Sequence, residues 1–332
     1  MKQCSLRLLT ILLTMALLLG SIAGCGSTQT PETTGAAEPA VSRIAKEKLD
    51  GKKIIFVGNS YTFWGHAVLQ KGYSILDQET RTGDHGLFYQ LCKAMGAEVS
   101  VTNWCFGAHD LTDMLCEPCQ RDLPCKDVVH FEHITDRSFD YVVLQPYVER
   151  NYAGELNLHL QPMLEFFQEA NPDVKFLLAV PHMAWEKNYV WVKDLETLDR
   201  SNIIVCNWGR MLHEIANGTV QVPGAKQPYA RPTFVVSASA EDGHHQNMLG
   251  GYLTVAMVYS AITGQSAVGL PYDFCDDAAI NSKFDLESYQ QQYYVYEPYT
   301  NFVEVFRSQA DMQGLQQLID VYLKEENNTT KE

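Results

Sequence analysis

Basic residues are scarce in this chain of 332 residues, which has 25 lysines and arginines against 40 aspartates and glutamates. The formal net charge is −15 at pH 7, so the surface would repel nucleic acid and anionic lipid head groups. We therefore expect no nucleic-acid partner. The acidic balance leaves open which neutral substrate the protein binds.

Long apolar segments are also few, and the one at the N-terminus, residues 8–19, is too short for a membrane span. It follows Lys2 and Arg7 and leads into Ser-Ile-Ala-Gly-Cys25, which resembles the lipobox of bacterial lipoproteins. We predict a lipoprotein signal peptide over residues 1–24, lipidation of Cys25, and a flexible tether over residues 25–47. An ordinary cleaved signal peptide is the alternative. Both predict an extracytoplasmic protein, and the first adds a lipid anchor to the cell membrane.

Internal repeats are absent, and short apolar runs alternate with amphipathic segments, which is typical of a βαβ series. We assign one domain to residues 48–270 and a C-terminal helical extension, packed on that domain, to residues 271–332. Asn301 and Glu304 form a candidate capping box in this extension. The predicted strands are 54–57, 99–102, 141–144, 176–180, 203–205 and 234–236, and the predicted helices are 87–94, 158–169, 208–216 and 248–262. The last helix is apolar nearly all round and should be buried.

Two motifs could support acyl transfer. The apolar run 54–57 ends at Gly58, and Ser60 follows, which places a hydroxyl at the carboxyl edge of a sheet, where ligands of open α/β folds bind. Far downstream, Asp242 stands three residues before His245, with His244 as a rival base. Ser60 would be the nucleophile, His245 the base and Asp242 the group that orients the imidazole. Taken separately, the motifs could be only a helix cap and a polar loop.

Together the motifs resemble the SGNH hydrolases, the GDSL-type esterase superfamily. The first family block is similar to Gly58-Asn59-Ser60-Tyr61, the second to Asn103-Trp104-Cys105-Phe106-Gly107, and the last to Asp242–His245. The resemblance covers residues 50–265. It implies a flavodoxin-like three-layer α/β/α sandwich with a central parallel sheet, a triad of Ser60, His245 and Asp242, and neither a metal nor a cofactor.

The third family block, Gly-x-Asn-Asp, is missing. In the family its asparagine donates a hydrogen bond to the oxyanion, whereas here strand 141–144 runs into Gln145-Pro146-Tyr147. The Gln145 carboxamide could donate the same bond with one more methylene of reach. We therefore expect an oxyanion hole made of the Ser60 amide, the Gly107 amide and the Gln145 side chain. The alternative is that Gln145 is structural and caps the strand end.

Polar and aromatic residues near these blocks are candidates for substrate binding: Asn59, Asn103, Trp64, Trp104, Tyr147 and His182. Exposed aromatic faces suit stacking on sugar rings, although each ring could equally belong to the core. The expected reaction is hydrolysis of O-acyl esters, in particular O-acetyl esters on carbohydrate, through an acyl-serine intermediate. A lipase or lysophospholipase is an alternative, against which the lack of a long apolar lid counts. A non-catalytic glycan-binding lipoprotein on the same fold is another.

The cysteines are odd in number once Cys4 in the signal peptide and Cys25 are set aside from the nine in the chain. Three of them crowd one stretch after the second block, and an extracytoplasmic location favours a disulfide there. A zinc site is a second interpretation, and reduced thiols are a third. The residues concerned are Cys105, Cys116, Cys119 and Cys125 for the disulfide, and Cys116, Cys119, Cys125 and His130 for zinc.

Overall fold

A computed structural model describes residues 40–63, 86–105, 110–111, 115, 137–146, 156–181, 195, 198–236, 245–275, 305 and 308–328. The strands are β1 (Lys53–Gly58), β2 (Ser100–Cys105), β3 (Tyr141–Leu144), β4 (Lys175–Ala179), β5 (Ile203–Cys206), β6 (Val235–Val236) and β7 (His245–Gln246). The helices are α1 (Ala40–Leu49), α2 (Ser60–Phe63), α3 (Leu87–Ala94), α4 (Leu156–Gln168), α5 (Trp208–Ala216), α6 (Met248–Thr263) and α7 (Gln309–Asn328).

Five of the strands form one parallel sheet in the order β2-β1-β3-β4-β5. This is the order of flavodoxin-like folds, and the chain reverses its direction across the sheet between β1 and β3. Such a reversal leaves a crevice outside the carboxyl ends of the two strands. The predicted fold class is confirmed, and the crevice is the expected place for a ligand.

The apolar runs are continuous because both faces of the sheet are covered. Along β1, Ile54 and Phe56 contact one core, while Ile55 and Val57 contact the other. The first core lies between the sheet and α1, α3, α5, α6 and α7, and the second lies between the sheet and α4. In α6 every residue except Ala261 is buried, as the apolar sequence of this helix predicts. The sheet and its two helical layers therefore make the three-layer sandwich.

Two sequence predictions need correction. The run 234–236 does not add a sixth parallel strand, because Val235 and Val236 pair antiparallel with Gln246 and His245 in a separate ribbon. Residues 40–47 are not a flexible tether, because they belong to helix α1. Ala45 and Leu49 of this helix, four residues apart, are fully buried in the core that contains α6.

Helix α7 packs against α5, α6 and the edge strand β5. Arg210 on α5 forms ion pairs with Glu326 at 3.1 Å and with Glu325 at 3.1 Å. The proposed capping residues Asn301 and Glu304 lie outside the described residues. None of the helices in the described part of the chain combines the length and the apolar character needed to cross a bilayer.

Asn327 covers the free edge of the sheet. Its Oδ1 accepts from the Val205 N–H at 2.9 Å, and its Nδ2 donates to the Val205 carbonyl at 3.0 Å and to the Leu323 carbonyl at 2.9 Å. The side chain thus takes the place of a neighbouring strand, which protects an edge that could otherwise pair with another chain.

We predict that Asn327→Ala lowers the free energy of unfolding by about 1–2 kcal/mol, because hydrogen bonds of this kind contribute about 1 kcal/mol each. Asn328→Ala is the matched control, since Asn328 is exposed in the same turn, and its effect should stay within about 0.5 kcal/mol. Urea denaturation measures both changes. Equal effects of the two substitutions would contradict the proposed edge contact.

Candidate active site

Ser60 lies at the end of β1 because the chain turns sharply at Asn59. The Asn59 Oδ1 accepts from the Tyr61 N–H at 3.1 Å, and the Asn59 carbonyl accepts from the Thr62 N–H at 2.9 Å. These bonds close the first turn of α2, with Ser60 as its first residue. Asn59 and Tyr61 are buried, whereas Ser60 is partly exposed. The turn therefore presents the serine hydroxyl at the carboxyl edge of the sheet.

His245 is carried on the short strand β7, which is fixed by the residues that follow it. Asn247 caps α6 by accepting from the Gly250 N–H at 3.0 Å, and its Nδ2 donates to the Thr233 carbonyl at 2.8 Å. Gly250 has no room for a side chain, because a Cβ there would lie 2.5 Å from the Phe234 carbonyl oxygen. The N-terminus of α6 is thus packed tightly against residues 233–234, just ahead of β6. Because β7 directly precedes Asn247 and α6, this packing also fixes the position of β7.

The two side chains meet. His245 Nε2 lies 2.9 Å from Ser60 Oγ, which is hydrogen-bond distance for a nucleophile and its base. The imidazole stacks on the buried ring of Tyr61, with centroids 5.3 Å apart and an interplanar angle of 20°. Stacking restricts rotation of the imidazole, which keeps Nε2 directed at Ser60 Oγ.

Gln145 directs its carboxamide to the turn that carries Ser60. Its Oε1 accepts from the Asn59 N–H at 3.2 Å and from the Thr62 hydroxyl at 3.1 Å, while its Nε2 donates to the Pro146 carbonyl. A main-chain N–H can only donate, so the atom that faces Asn59 must be the oxygen. The expectation that the Gln145 carboxamide donates to the oxyanion therefore differs from the structure, in which its nitrogen donates to the Pro146 carbonyl at the end of β3.

Gly58 is the residue that lets Gln145 approach. A Cβ at position 58 would lie 2.9 Å from the Cβ of Gln145 and 2.9 Å from its Oε1. Real side chains do not approach so closely without displacement, so any larger residue would push Gln145 away from the turn. The glycine before Asn59-Ser60 is therefore needed for close packing between β1 and β3.

Cys105 lies behind the same turn and is not a rival nucleophile. Its Sγ donates to the Phe56 carbonyl at 3.4 Å, and the side chain is fully buried. Burial raises the pKa of this thiol well above its ordinary value, so it stays protonated. The Cys105 sulfur is a reduced thiol that donates a hydrogen bond, which removes it from the set of cysteines predicted to form a disulfide.

Three of the predicted substrate-binding residues are buried instead. Trp104 is fully buried in the core under α4, where its ring lies 6.0 Å from that of Phe166, so its assignment to sugar stacking is wrong. Asn59 is fully buried in the turn described above. Asn103 is also fully buried, and its Oδ1 accepts from the Cys105 N–H at 3.1 Å. Asn59 supports the turn that carries Ser60, and Asn103 supports the end of β2, so neither is placed to contact a substrate.

Several predicted site residues lie outside the described residues, and for these the sequence predictions stand as they were made. They are Cys25, Trp64, Gly107, Cys116, Cys119, Cys125, His130, Tyr147, His182, Asp242 and His244. Within the described part of the chain, no three His, Cys, Asp or Glu side chains come together as a metal site would require.

The sequence analysis missed the buried residues that pack against or hydrogen-bond to the elements carrying Ser60 and His245. They are Tyr61, Thr62, Gln246 and Thr254. Gln246 is fully buried and hydrogen-bonds with both Thr62 and Thr254. One signal was available, since Thr254 is a polar residue near the middle of a helix whose apolar character predicts burial. Its partners could not be read from spacing, because they are far away in the sequence.

No family model matches the chain, and no curated protein matches it. Solved structures that resemble it include a DUF4886 family protein from Bacteroides uniformis, 13% identical, with 72% of this chain and 96% of that chain covered and a TM-score of 0.43. Another, described as a GDSL-like lipase from Parabacteroides merdae, is 13% identical, with coverages of 66% and 99% and a TM-score of 0.42. A catalytic mutant of an acetylxylan esterase from Geobacillus stearothermophilus is 15% identical, with coverages of 66% and 97% and a TM-score of 0.38. At these identities the likeness concerns the fold alone.

We predict that Gln145→Ala destabilises the protein, because the Asn59 N–H and the Thr62 hydroxyl would each lose their acceptor. A buried donor left unsatisfied costs about 1–3 kcal/mol. The matched control is Gln161→Ala, since Gln161 is an exposed helical glutamine whose loss should cost less than about 0.5 kcal/mol. Urea denaturation measures both changes, alongside kcat. A large loss of kcat with an unchanged free energy of unfolding would instead favour Gln145 as an oxyanion donor.

Proposed function

We propose that this chain is a serine esterase of the SGNH type, in which Ser60 is the nucleophile and His245 is the general base. The observation that carries the proposal is the 2.9 Å contact between His245 Nε2 and Ser60 Oγ at the carboxyl edge of the sheet. Both residues are partly exposed, so an ester can reach them. Asp242 is proposed from the sequence as the group that orients His245.

The reaction begins when Ser60 Oγ attacks the acyl carbon and its proton passes to His245 Nε2. The bond between the acyl carbon and the alcohol oxygen then breaks, and the imidazolium returns the proton to the leaving alcohol. Water attacks the acyl-serine in the second half of the reaction, with His245 as base again. The carboxylic acid leaves, and the proton returns to Ser60 Oγ.

The oxyanion needs hydrogen-bond donors that are in place before it forms. Among the described residues, the Ser60 N–H has no acceptor, so this amide is available to an oxyanion beside its own side chain. The Gly107 amide is the second proposed donor, on the basis of the sequence. Because the Gln145 Nε2 donates its hydrogen bond to the Pro146 carbonyl, we propose that backbone amides make the principal contribution to stabilising the oxyanion.

The proposed substrates are O-acyl esters on carbohydrate, in particular O-acetyl esters, and the proposed location is the outer side of the cell membrane. The N-terminal sequence supports the location through its lipobox-like segment and Cys25. Support for a glycan comes from the sequence near the site, where Trp64, Tyr147 and His182 remain candidates for substrate contact. Turnover of acetylated oligosaccharides, compared with long-chain p-nitrophenyl esters, tests this choice.

We predict that Ser60→Ala abolishes short-chain ester turnover, with a loss on the order of 10³-fold or more in kcat. His245→Ala should lose nearly as much, and the double variant should lose little more, because the two groups act as a unit. His213→Ala is the matched control on α5, and it should keep wild-type rates.

Labelling with a fluorophosphonate gives an independent test of the same assignment. The wild-type chain should be modified at Ser60, and the modified peptide can be identified by mass spectrometry. Labelling should disappear in Ser60→Ala and fall strongly in His245→Ala. A wild-type chain that neither turns over esters nor reacts with the probe would refute the serine-esterase proposal.

A further inference from the structure

Thr254 connects helix α6 to the strand that carries His245. Its Oγ1 lies 2.9 Å from the Gln246 Oε1 and 3.0 Å from the Gly250 carbonyl oxygen, and the side chain is almost fully buried. A hydroxyl has one proton to donate. Gly250 is one turn earlier in the same helix, and its carbonyl already accepts the hydrogen bond from the Thr254 N–H. The Thr254 hydroxyl proton is therefore assigned to the Gln246 Oε1.

Gln246 continues this connection to the nucleophile. It directly follows His245, is fully buried, and its Nε2 donates to the Thr62 carbonyl at 3.4 Å. Strand β7 therefore reaches α2 at two points. His245 contacts the side chain of Ser60, and Gln246 contacts the main chain two residues later. Two points of attachment fix both the distance and the tilt between β7 and α2.

We infer that Thr254 and Gln246 are positioning residues that hold His245 within reach of Ser60. The inference rests on the proposed function. Ser60 and His245 are themselves partly exposed, so the hydrogen bond between them competes with water and is a weak restraint on their geometry. The buried chain from Thr254 through Gln246 to Thr62 is shielded from water. A displacement of 1 Å at a reacting pair can cost about 10²-fold in rate.

The test compares two substitutions of Thr254 that remove different atoms. Thr254→Val keeps the shape and loses the hydroxyl, whereas Thr254→Ser keeps the hydroxyl and loses a methyl group. We expect Thr254→Val to lower kcat for a short-chain acetate ester about tenfold and to leave KM nearly unchanged. The rate of Ser60 labelling by a fluorophosphonate should fall by about the same factor. Thr254→Ser should stay close to wild type in both measurements.

Thr263→Val is the matched control. Thr263 lies on the same helix, is buried, and its hydroxyl donates to the Tyr259 carbonyl at 2.8 Å, one turn earlier, without contact to Gln246. Its substitution should leave kcat and labelling unchanged. Gln246→Met gives a second variant in case Thr254→Val does not fold, because it removes the carboxamide while Thr254 can still donate to Gly250. It should slow both reactions as Thr254→Val does.

The outcomes separate this inference from the proposed function. Labelling of the wild type at Ser60, together with unchanged rates in Thr254→Val and Gln246→Met, would overturn the inference and leave the esterase proposal intact. Equal losses in Thr254→Ser and Thr254→Val would also overturn it, because packing of the methyl group would then be the cause. A wild type without labelling or turnover would refute the proposed function itself.

Discussion

The close approach of Gly58 to Gln145 is the constraint on which the rest of the candidate site depends. Gly58 is the last residue of β1, and Gln145 directly follows the neighbouring strand β3. The chain reverses its direction across the sheet between these two strands. Since a Cβ at position 58 would lie 2.9 Å from Gln145 atoms, glycine allows the carboxamide to reach over the end of β1. There its oxygen accepts from the Asn59 N–H and the Thr62 hydroxyl. The turn that presents Ser60 is therefore held by the adjacent strand as well as by its own backbone bonds.

The proposed base His245 is carried by a different element from Ser60, so alignment of the pair depends on contacts between β7 and α2. Ser60 is the first residue of α2, just after β1, whereas His245 is on a short ribbon that Asn247 and Gly250 fix to the start of α6. The ribbon has only two residues in each strand, so its own ladder is too short to resist rotation. Packing of the imidazole on Tyr61 and the buried contacts of Gln246 supply the missing restraint. A buried polar network of this kind is rigid only when its members are satisfied.

The five-stranded sheet follows from the apolar runs, and the two motifs that contain Ser60 and His245 predicted the contact between these side chains. Continuous apolar runs predict strands covered on both faces, and helices 87–94 and 208–216 were predicted with the bounds that the structure has. The site details were not predictable in the same way. Trp104 is the register partner of Val57, and both side chains point to the face of the sheet that α4 covers. The burial of Trp104 therefore depends on the register between β1 and β2, which the sequence alone does not give. Gln145 offers a donor and an acceptor at equal reach, so the sequence could not say which end would face the turn.

The orientation of Gln145 shows what this residue does at the position where the Gly-x-Asn-Asp block was expected. In the proposed esterase, the loss of one oxyanion donor would lower kcat by about 10²–10³-fold. The extra methylene of glutamine was expected to carry a nitrogen towards the oxyanion. In the structure it carries an oxygen to the turn, where it satisfies two buried donors next to the nucleophile. Catalysis would then rely on backbone amides whose positions are set by that turn, and the Gln145 side chain would contribute by fixing where the Ser60 amide points.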